Sequence, residues 1–407
     1  MFDKAKRIVD ITPSLRAPMP AYKILADGLT VTEERATAWF RIEPSSTQMA
    51  TAKEMDAELA QAIALAQKVL RDRTCHIKIV WGRITGAEYA MSAAAFTAPE
   101  GRAWTTVRTQ AIDAWQLPER HVFLGIGIED RHDPKFLRAI NRAVDWVRGD
   151  ATSIPRQELA WLDQTMRALG GQPNKAPWYA APVDAETLAW MLGRECFRAS
   201  DAAPIEGTVS GAHLARLMRG RMVPYRDHQR FYDAAGQASA YSAQLIISQF
   251  SADALDTNDT GQWLTLLSGI SRPALDGSST VDVHAEASIR FEFMSQKAAR
   301  KVVKRTKDSA AEQRREAAKS DAGEPSADVQ FWPTLSVSED NLDDLRASVD
   351  AVIEAYSQVG ITVEVAADEQ AETWMSTLPG DHVRVEAMHH ISDAEAFFGS
   401  WFWAGSV

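Results

Sequence analysis

Apolar positions along this chain change their period several times. From Tyr22 to Glu43 they alternate in two short runs, "YKILADGLTV" (Tyr22 to Val31) and "ATAWFRIE" (Ala36 to Glu43), around a polar turn at Glu33-Glu34. That alternation predicts a strand pair. The next stretch, "TAKEMDAELAQAIALAQKVL", puts Met55, Leu59, Ile63, Ala66 and Leu70 on one stripe with Lys and Glu opposite. This is the spacing of an amphipathic helix. "CHIKIVW" (Cys75 to Trp81) and "RHVFLGIGI" (Arg120 to Ile128) return to strand, and the second is apolar on both faces, as a central strand would be. The order of pieces predicts an α+β sandwich with helices over one sheet face.

Between residues 134 and 237 the pattern turns mainly helical. "PKFLRAINRAVDWV", "RQELAWLDQTMRAL" and "DAETLAWMLGRECF" are each amphipathic, and "GGQPNKAPWYAAP" is a Gly/Pro-bearing loop among them. Asp184 is the expected N-cap of the third helix.

From Ala238 alternation comes back. "AYSAQLIISQF" and the long "TVDVHAEASIRFEFM" read as strands, followed by a charged helix over residues 295–319 and a strand "DVQFWPTLSVS". "EDNLDDLRASVDAVIEAYSQVG" puts Leu342, Leu345, Val349, Val352, Ile353 and Tyr356 on one face and ends at Gly360, the expected C-cap. "ITVEVAA" predicts a strand, "QAETWMSTL" a helical turn and "HVRVEAMHHIS" a last strand. The expected organisation is therefore a first α+β unit (1–133), a helical connecting segment (134–237), a second α+β unit (238–396) and an apolar tail (397–407). A ferredoxin-like arrangement is compatible with the two units.

Composition narrows the function classes. The chain has 407 residues, 45% of them hydrophobic and 24% charged, which is ordinary for a globular protein. Two cysteines, Cys75 and Cys196, cannot make a disulfide framework, so a reducing, cytoplasmic setting is expected. The amino end has no apolar signal-peptide core, and no run reaches the ~20 apolar residues of a membrane span. A net charge of −11 argues against a general nucleic-acid coat.

Motifs for chemistry are sparse. No GxxxxGK[ST] phosphate loop, GxSxG elbow or HExxH helix occurs. "GIG" at Gly125 to Gly127 lies inside a strand, where glycine marks a bulge or close packing, and "EGTVSG" (Glu206 to Gly211) lacks the lysine. "EDRHD" gathers Glu129, Asp130 and His132 in what reads as a surface loop. His389 and His390 are adjacent, so a strand aims them to opposite faces and no shared metal is expected. The same alternation separates Cys75 from His76. No catalytic, cofactor-binding or metal residue is assigned.

Two interaction features stand out instead. Between Lys297 and Lys319 there are nine cations against three acids, with Arg300, Lys301, Lys304 and Arg305 at the centre. A solvated helix face, an acidic membrane surface or a partner subunit would each suit it. The chain then ends on "FFGSWFWAGSV". Phe397, Phe398, Trp401, Phe402 and Trp403 present an aromatic surface where most chains are polar. Either the tail packs on the body or it is half of an interface.

Several stretches together resemble the amino-terminal part of the type IV secretion and conjugation ATPases (the CagE, TrbE and TraC type), in their actinobacterial form. They are "YKILADGLTVTEERATAWFRIEP", "CHIKIVWGRITGAEYA", "LPERHVFLGIGIED", "IPRQELAWLDQTMRALG", "VDVHAEASIRFEFMS", "LSVSEDNLDDLRASVDAVIEAYSQVGITVEV" and "LPGDHVRVEAMHHISDAEAFFGSWFWAGS". The resemblance runs through most of the chain by spacing and short patterns, with no invariant catalytic motif. It implies an assembly domain at the inner face of the cell membrane, ahead of a RecA-like motor that carries the Walker motifs, ATP and Mg. It implies contacts with inner-membrane secretion subunits, with the motor and between copies, and no direct contact with nucleic acid. It also implies that Val407 is a boundary before that motor, and no ATPase residue carries over to any position here. A stand-alone structural or regulatory protein of a mobile element is the alternative, and a third is an enzyme with a site at Glu129, Asp130 and His132.

Overall fold

The computed structural model describes residues 23–25, 28–31, 36–43, 51–71, 73–83, 103, 105–111, 118–128, 156–169, 179–196, 221–232, 236–250, 263–283, 285–294, 328–380, 383–385 and 388–401. The first strands are β1 (Lys23–Leu25), β2 (Leu29–Val31) and β3 (Ala36–Glu43), followed by α1 (Ala52–Leu70), β4 (Thr74–Arg83) and β5 (Pro118–Ile128). Then come α2 (Arg156–Leu169), β6 (Tyr179–Pro182), α3 (Ala185–Cys196), β7 (Arg221–Pro224) and β8 (Gln229–Tyr232). After β9 (Ala238–Phe250) and a 3-10 helix (Trp263–Ser268) lie β10 (Ser271–Pro273), β11 (Thr280–Asp282), β12 (Glu286–Phe293) and β13 (Asp328–Glu339). The last elements are α4 (Leu342–Gln358), β14 (Ile361–Val365), α5 (Gln370–Thr377), β15 (His390–Asp393) and α6 (Ala394–Trp401).

The fold is α+β, built on one large antiparallel sheet of 13 strands in the order β1-β2-β3-β5-β4-β12-β13-β9-β8-β7. Three strands carry two partners in succession on one edge: β2 and β6 on β3, β9 and β15 on β13, β8 and β14 on β9. The two expected α+β units share this sheet, because β4 pairs with β12 from Thr74↔Glu292 to Ile79↔Ala287. The middle segment supplies the helices α2 and α3 and also three strands to it.

Period-2 alternation decides the layers. Ile77 and Ile79, Leu124 and Ile126, Ile289 and Phe291, Phe331 and Leu335, and Leu245 and Ile247 face one core. That face is covered by α1, α4, the 3-10 helix and α6. The intervening residues Trp39, Val80, Phe123, Phe231 and Ala240 face a smaller second core under α3 and α5. Helices were expected over one sheet face; they cover both.

Local signals explain most boundaries. Thr51 and Glu54 close a capping box on α1, with Glu54 N donating to Thr51 Oγ1 at 3.3 Å and Thr51 N to Glu54 Oε2 at 2.8 Å. Asp184 accepts from Thr187 N at 2.7 Å, the expected cap of α3; α4 has Val359 as its C-cap, and Gly360, expected there, follows one residue later with φ +75°. The run "YKILADGLTV" is a hairpin rather than one strand: the chain turns at Gly28, whose φ of +74° few side chains tolerate. Gly125 marks close packing: a Cβ there would lie 2.7–2.9 Å from the Trp39 ring. The long strand expected from Thr280 breaks at Val283, whose N–H donates to Ile270 O, so β11 pairs with β10 and β12 joins the main sheet. The last strand, expected over 382–392, is regular only at His390–Asp393. Arg272 fastens the β10–β11 hairpin to α4 through Ser348 at 2.8 Å and Asp344 at 2.5 Å.

Candidate functional site

The densest group of polar side chains lies on the second face of the sheet, beneath α5. On β4, alternation that sends Ile77 and Ile79 into the main core sends His76 and Lys78 to the other side. On β12 it does the same for Ser288 and Arg290. The register sets Lys78 beside Ser288 and His76 beside Arg290. All four are buried, between 1% and 7% exposed.

Each of these groups has a stated occupation. His76 Nε2 and Ser288 Oγ are hydrogen-bonded at 2.7 Å. Lys78 Nζ meets Glu195 Oε1 from α3 and donates to Thr377 O at 2.9 Å. Arg290 Nε donates to Ser376 O at 3.0 Å and Nη2 to Leu378 O at 2.6 Å. Three carbonyls at the C-terminal end of α5, left without intrahelical donors, thus receive two cations. Cations also suit the negative end of the helix dipole.

The other end of α5 is fastened as firmly. Gln370 Oε1 accepts from Gln244 N at 2.8 Å, and its Nε2 donates to Gln244 O at 2.9 Å. The side-chain amide thereby completes the β9 ladder as a neighbouring strand would. Gln229 Nε2 donates to Gln370 O, and Ser336 Oγ to Gln244 Oε1 at 2.7 Å.

A cleft beside α5 is lined by Ser288, Arg290, Trp332, Thr334, Thr373 and Ser376, among others, and holds about 20 Å³. A buried water needs roughly 10–15 Å³ by this measure, whereas ligand sites run to hundreds of Å³. The Ser288–His76 pair has the contact that a nucleophile and its base require, and the described cleft that Ser288 lines is about the size of a water. What the arrangement can do is hold α5 and α3 at fixed positions on the sheet.

The expected interaction residues fare differently. Phe397 and Phe398 are corrected: they are 1% and 0% exposed and belong to the main core. Their rings pack on Phe291 at 4.9 and 6.0 Å, and Phe398 stacks on Phe293 at 5.9 Å. A helix laid between α1 and the sheet buries both neighbours, so neither is open to a partner. Trp401 closes α6 in its backbone. Arg300, Lys301, Lys304, Arg305, Phe402 and Trp403 lie outside the described residues, as do Glu129, Asp130, His132 and the Glu206–Gly211 motif. His389 and His390 do point apart, toward Trp332 and Phe331, and Cys75 and His76 face opposite sides of β4. Among the described residues no three His, Cys, Asp or Glu side chains gather as a metal site, and no helix is long and apolar enough to cross a membrane.

Sequence reasoning missed Lys78, Glu195, Arg290 and Gln370. A signal was present in "HIKIV" and "SIRFEF": a cation on one face of an internal strand must meet a buried acceptor. No family model matches this chain, and neither does any curated protein.

Proposed function

We propose that this chain is a docking and assembly domain of the type IV secretion and conjugation ATPase class. Its work is to hold a motor at the inner-membrane part of a secretion channel and to bring neighbouring copies together. ATP and Mg belong to that motor. The observation that carries the reading is the run where the resemblance is densest, from Glu286 to Trp401. There β12, β13, β14 and β15 join one sheet, α4 and α6 pack on its main core, and α5 packs on its second face, an arrangement that suits a docking domain. Support also comes from the polar side chains beneath α5, whose described bonds go to positioning helices.

The test is co-purification of the tagged chain with the inner-membrane subunits of a type IV secretion system expressed alongside it. The wild-type chain should retain those subunits at low salt and release them as salt screens the contact. Reversing Arg300, Lys301, Lys304 and Arg305 to Glu should abolish retention while circular dichroism stays unchanged. A folded wild-type chain that retains no subunit at low salt overturns the proposal.

A further inference from the structure

Arg120 lies on the main-core face of β5, beside Trp81 on β4, with its guanidinium 5.9 Å from the centre of that indole ring. Its Nη1 reaches Leu264 O at a long 3.4 Å. Its Nε and Nη2 are buried and have no hydrogen-bond acceptor. No carboxylate among the described residues acts on it; the one charged-state neighbour is the Tyr356 hydroxyl.

Two further buried donors lie on side chains close by. Tyr356, from α4, is 0% exposed, and its hydroxyl has no partner. Trp263, next to Leu264, is 1% exposed, and its Nε1–H has none either. The two rings meet edge to face at 6.4 Å. Side chains from β5, α4 and the 3-10 helix thus neighbour one another in turn: Arg120 acts on Tyr356, the Tyr356 ring meets Trp263, and each carries a buried donor without an acceptor.

Buried donors without acceptors are rare in native proteins, and several in one place call for a physical account. A water could accept two hydrogen bonds but would leave the guanidinium uncompensated. An oxyanion has only acceptors and carries the missing charge. Nε and Nη2 form the side-on edge of the guanidinium, the fork that takes a carboxylate or phosphate through two parallel bonds. We propose that Arg120, Tyr356 and Trp263 form a binding site for an oxyanion, either a phosphate or a carboxylate. Burial disfavours the ionised form of Tyr356 and arginine stays protonated in proteins, so the site presents a neutral hydroxyl and a cation, both as donors. The ligand can be a free anion or an acidic side chain of a docked protein.

Thermal melting of the full chain in phosphate, acetate or chloride, at one pH and matched ionic strength, tests this. Phosphate or acetate should raise the wild-type melting temperature saturably, by at least about 2 °C. A shift by phosphate alone assigns the site to phosphate; an equal shift by acetate assigns it to carboxylates. Arg120→Met should remove the response. Tyr356→Phe should melt near the wild type in chloride, since the hydroxyl has no partner to lose, and should respond more weakly; it carries the test if Arg120→Met does not fold. The proposal is overturned if the wild type melts alike in all three salts, or if both variants respond as fully as the wild type.

Discussion

Lys78 and Glu195 form an ion pair closed off from water, with side chains 2% and 1% exposed. One comes from the centre of β4 and the other from the last turn of α3. The same ammonium donates to Thr377 O, while Thr377 Oγ1 donates to Trp374 O at 2.7 Å and lies 3.4 Å from Glu195 Oε2. Trp374 Nε1 donates to the Glu195 carbonyl at 3.1 Å. A strand and two helices that are distant in sequence therefore meet at one charge pair. Its Coulombic gain is offset largely by desolvation, so its use is positional: with either partner removed, the other keeps a buried charge that has lost this counter-charge.

The first prediction tests that statement. Lys78→Met should lower stability by about 3–5 kcal/mol in urea unfolding, because Glu195 loses its counter-charge. Lys78→Met combined with Glu195→Leu should recover most of the loss. A single variant within about 0.5 kcal/mol of the wild type would show that the pair holds nothing in place.

Gly125 and Trp39 provide the second. A methyl group at 125 would lie 2.7 Å from one ring carbon of Trp39, and that ring is pinned by its Nε1 bond to Thr30 Oγ1 at 2.9 Å. Gly125→Ala should therefore destabilise by about 1–3 kcal/mol through overpacking. Trp39→Phe makes room, so the double variant should be more stable than the two single losses summed, with a coupling of roughly 0.5–3 kcal/mol. Strict additivity in the unfolding midpoints would count against the contact.

How far these relationships were legible in the sequence depends on the range of the forces involved. Leu59, Ala66 and Leu70 declared α1 by period alone, and Asp184 and Gly360 marked helix ends through local hydrogen bonding, whereas the Thr51 cap was not read. Gly125 announced close packing without naming Trp39 as the neighbour. The break at Val283 was hidden because "TVDVHAEASIRFEFM" alternates throughout; it follows from a bond to Ile270 that no local pattern encodes. The Trp263–Ser268 turn is too short to show a period. Lys78 and Arg290 read as ordinary strand cations until α5 is placed over them. Phe397 and Phe398 looked unpartnered because Phe291, Phe293 and Phe331 come from strands much earlier in the chain.

The third prediction concerns pH. His390 Nε2–H donates to Ile247 O at 2.7 Å, between Phe250 and Phe331. Burial lowers its pKa below the ordinary 6.5; the Ile247 bond opposes this and His389 adds to it. The folded chain thus keeps the ring neutral where the unfolded chain binds a proton. The contribution is intact above pH 6.5 and erodes as pH falls through the window down to the lowered value. Unfolding midpoints should fall between about pH 7.5 and about pH 5, and His390→Gln, which keeps a donor, should flatten part of that slope. An unchanged slope in the variant would remove His390 from the account.

The last prediction decides what the aromatic tail does. If Phe397 and Phe398 served an interface, replacing them would leave the isolated chain's stability alone and weaken its associations. Their burial against Phe291, Phe293 and Phe331 says the reverse. Phe398→Ala should cost about 3–5 kcal/mol, the range for deleting a fully buried ring and leaving a cavity. A chain ending at Ser392 would lose all of α6 and uncover the strand phenylalanines beneath it. It should melt earlier than the full chain and self-associate more through the bared apolar face. Sedimentation and melting of the two forms side by side read both effects. A shortened chain that stays monomeric and equally stable would return these two residues to the surface role their sequence first suggested.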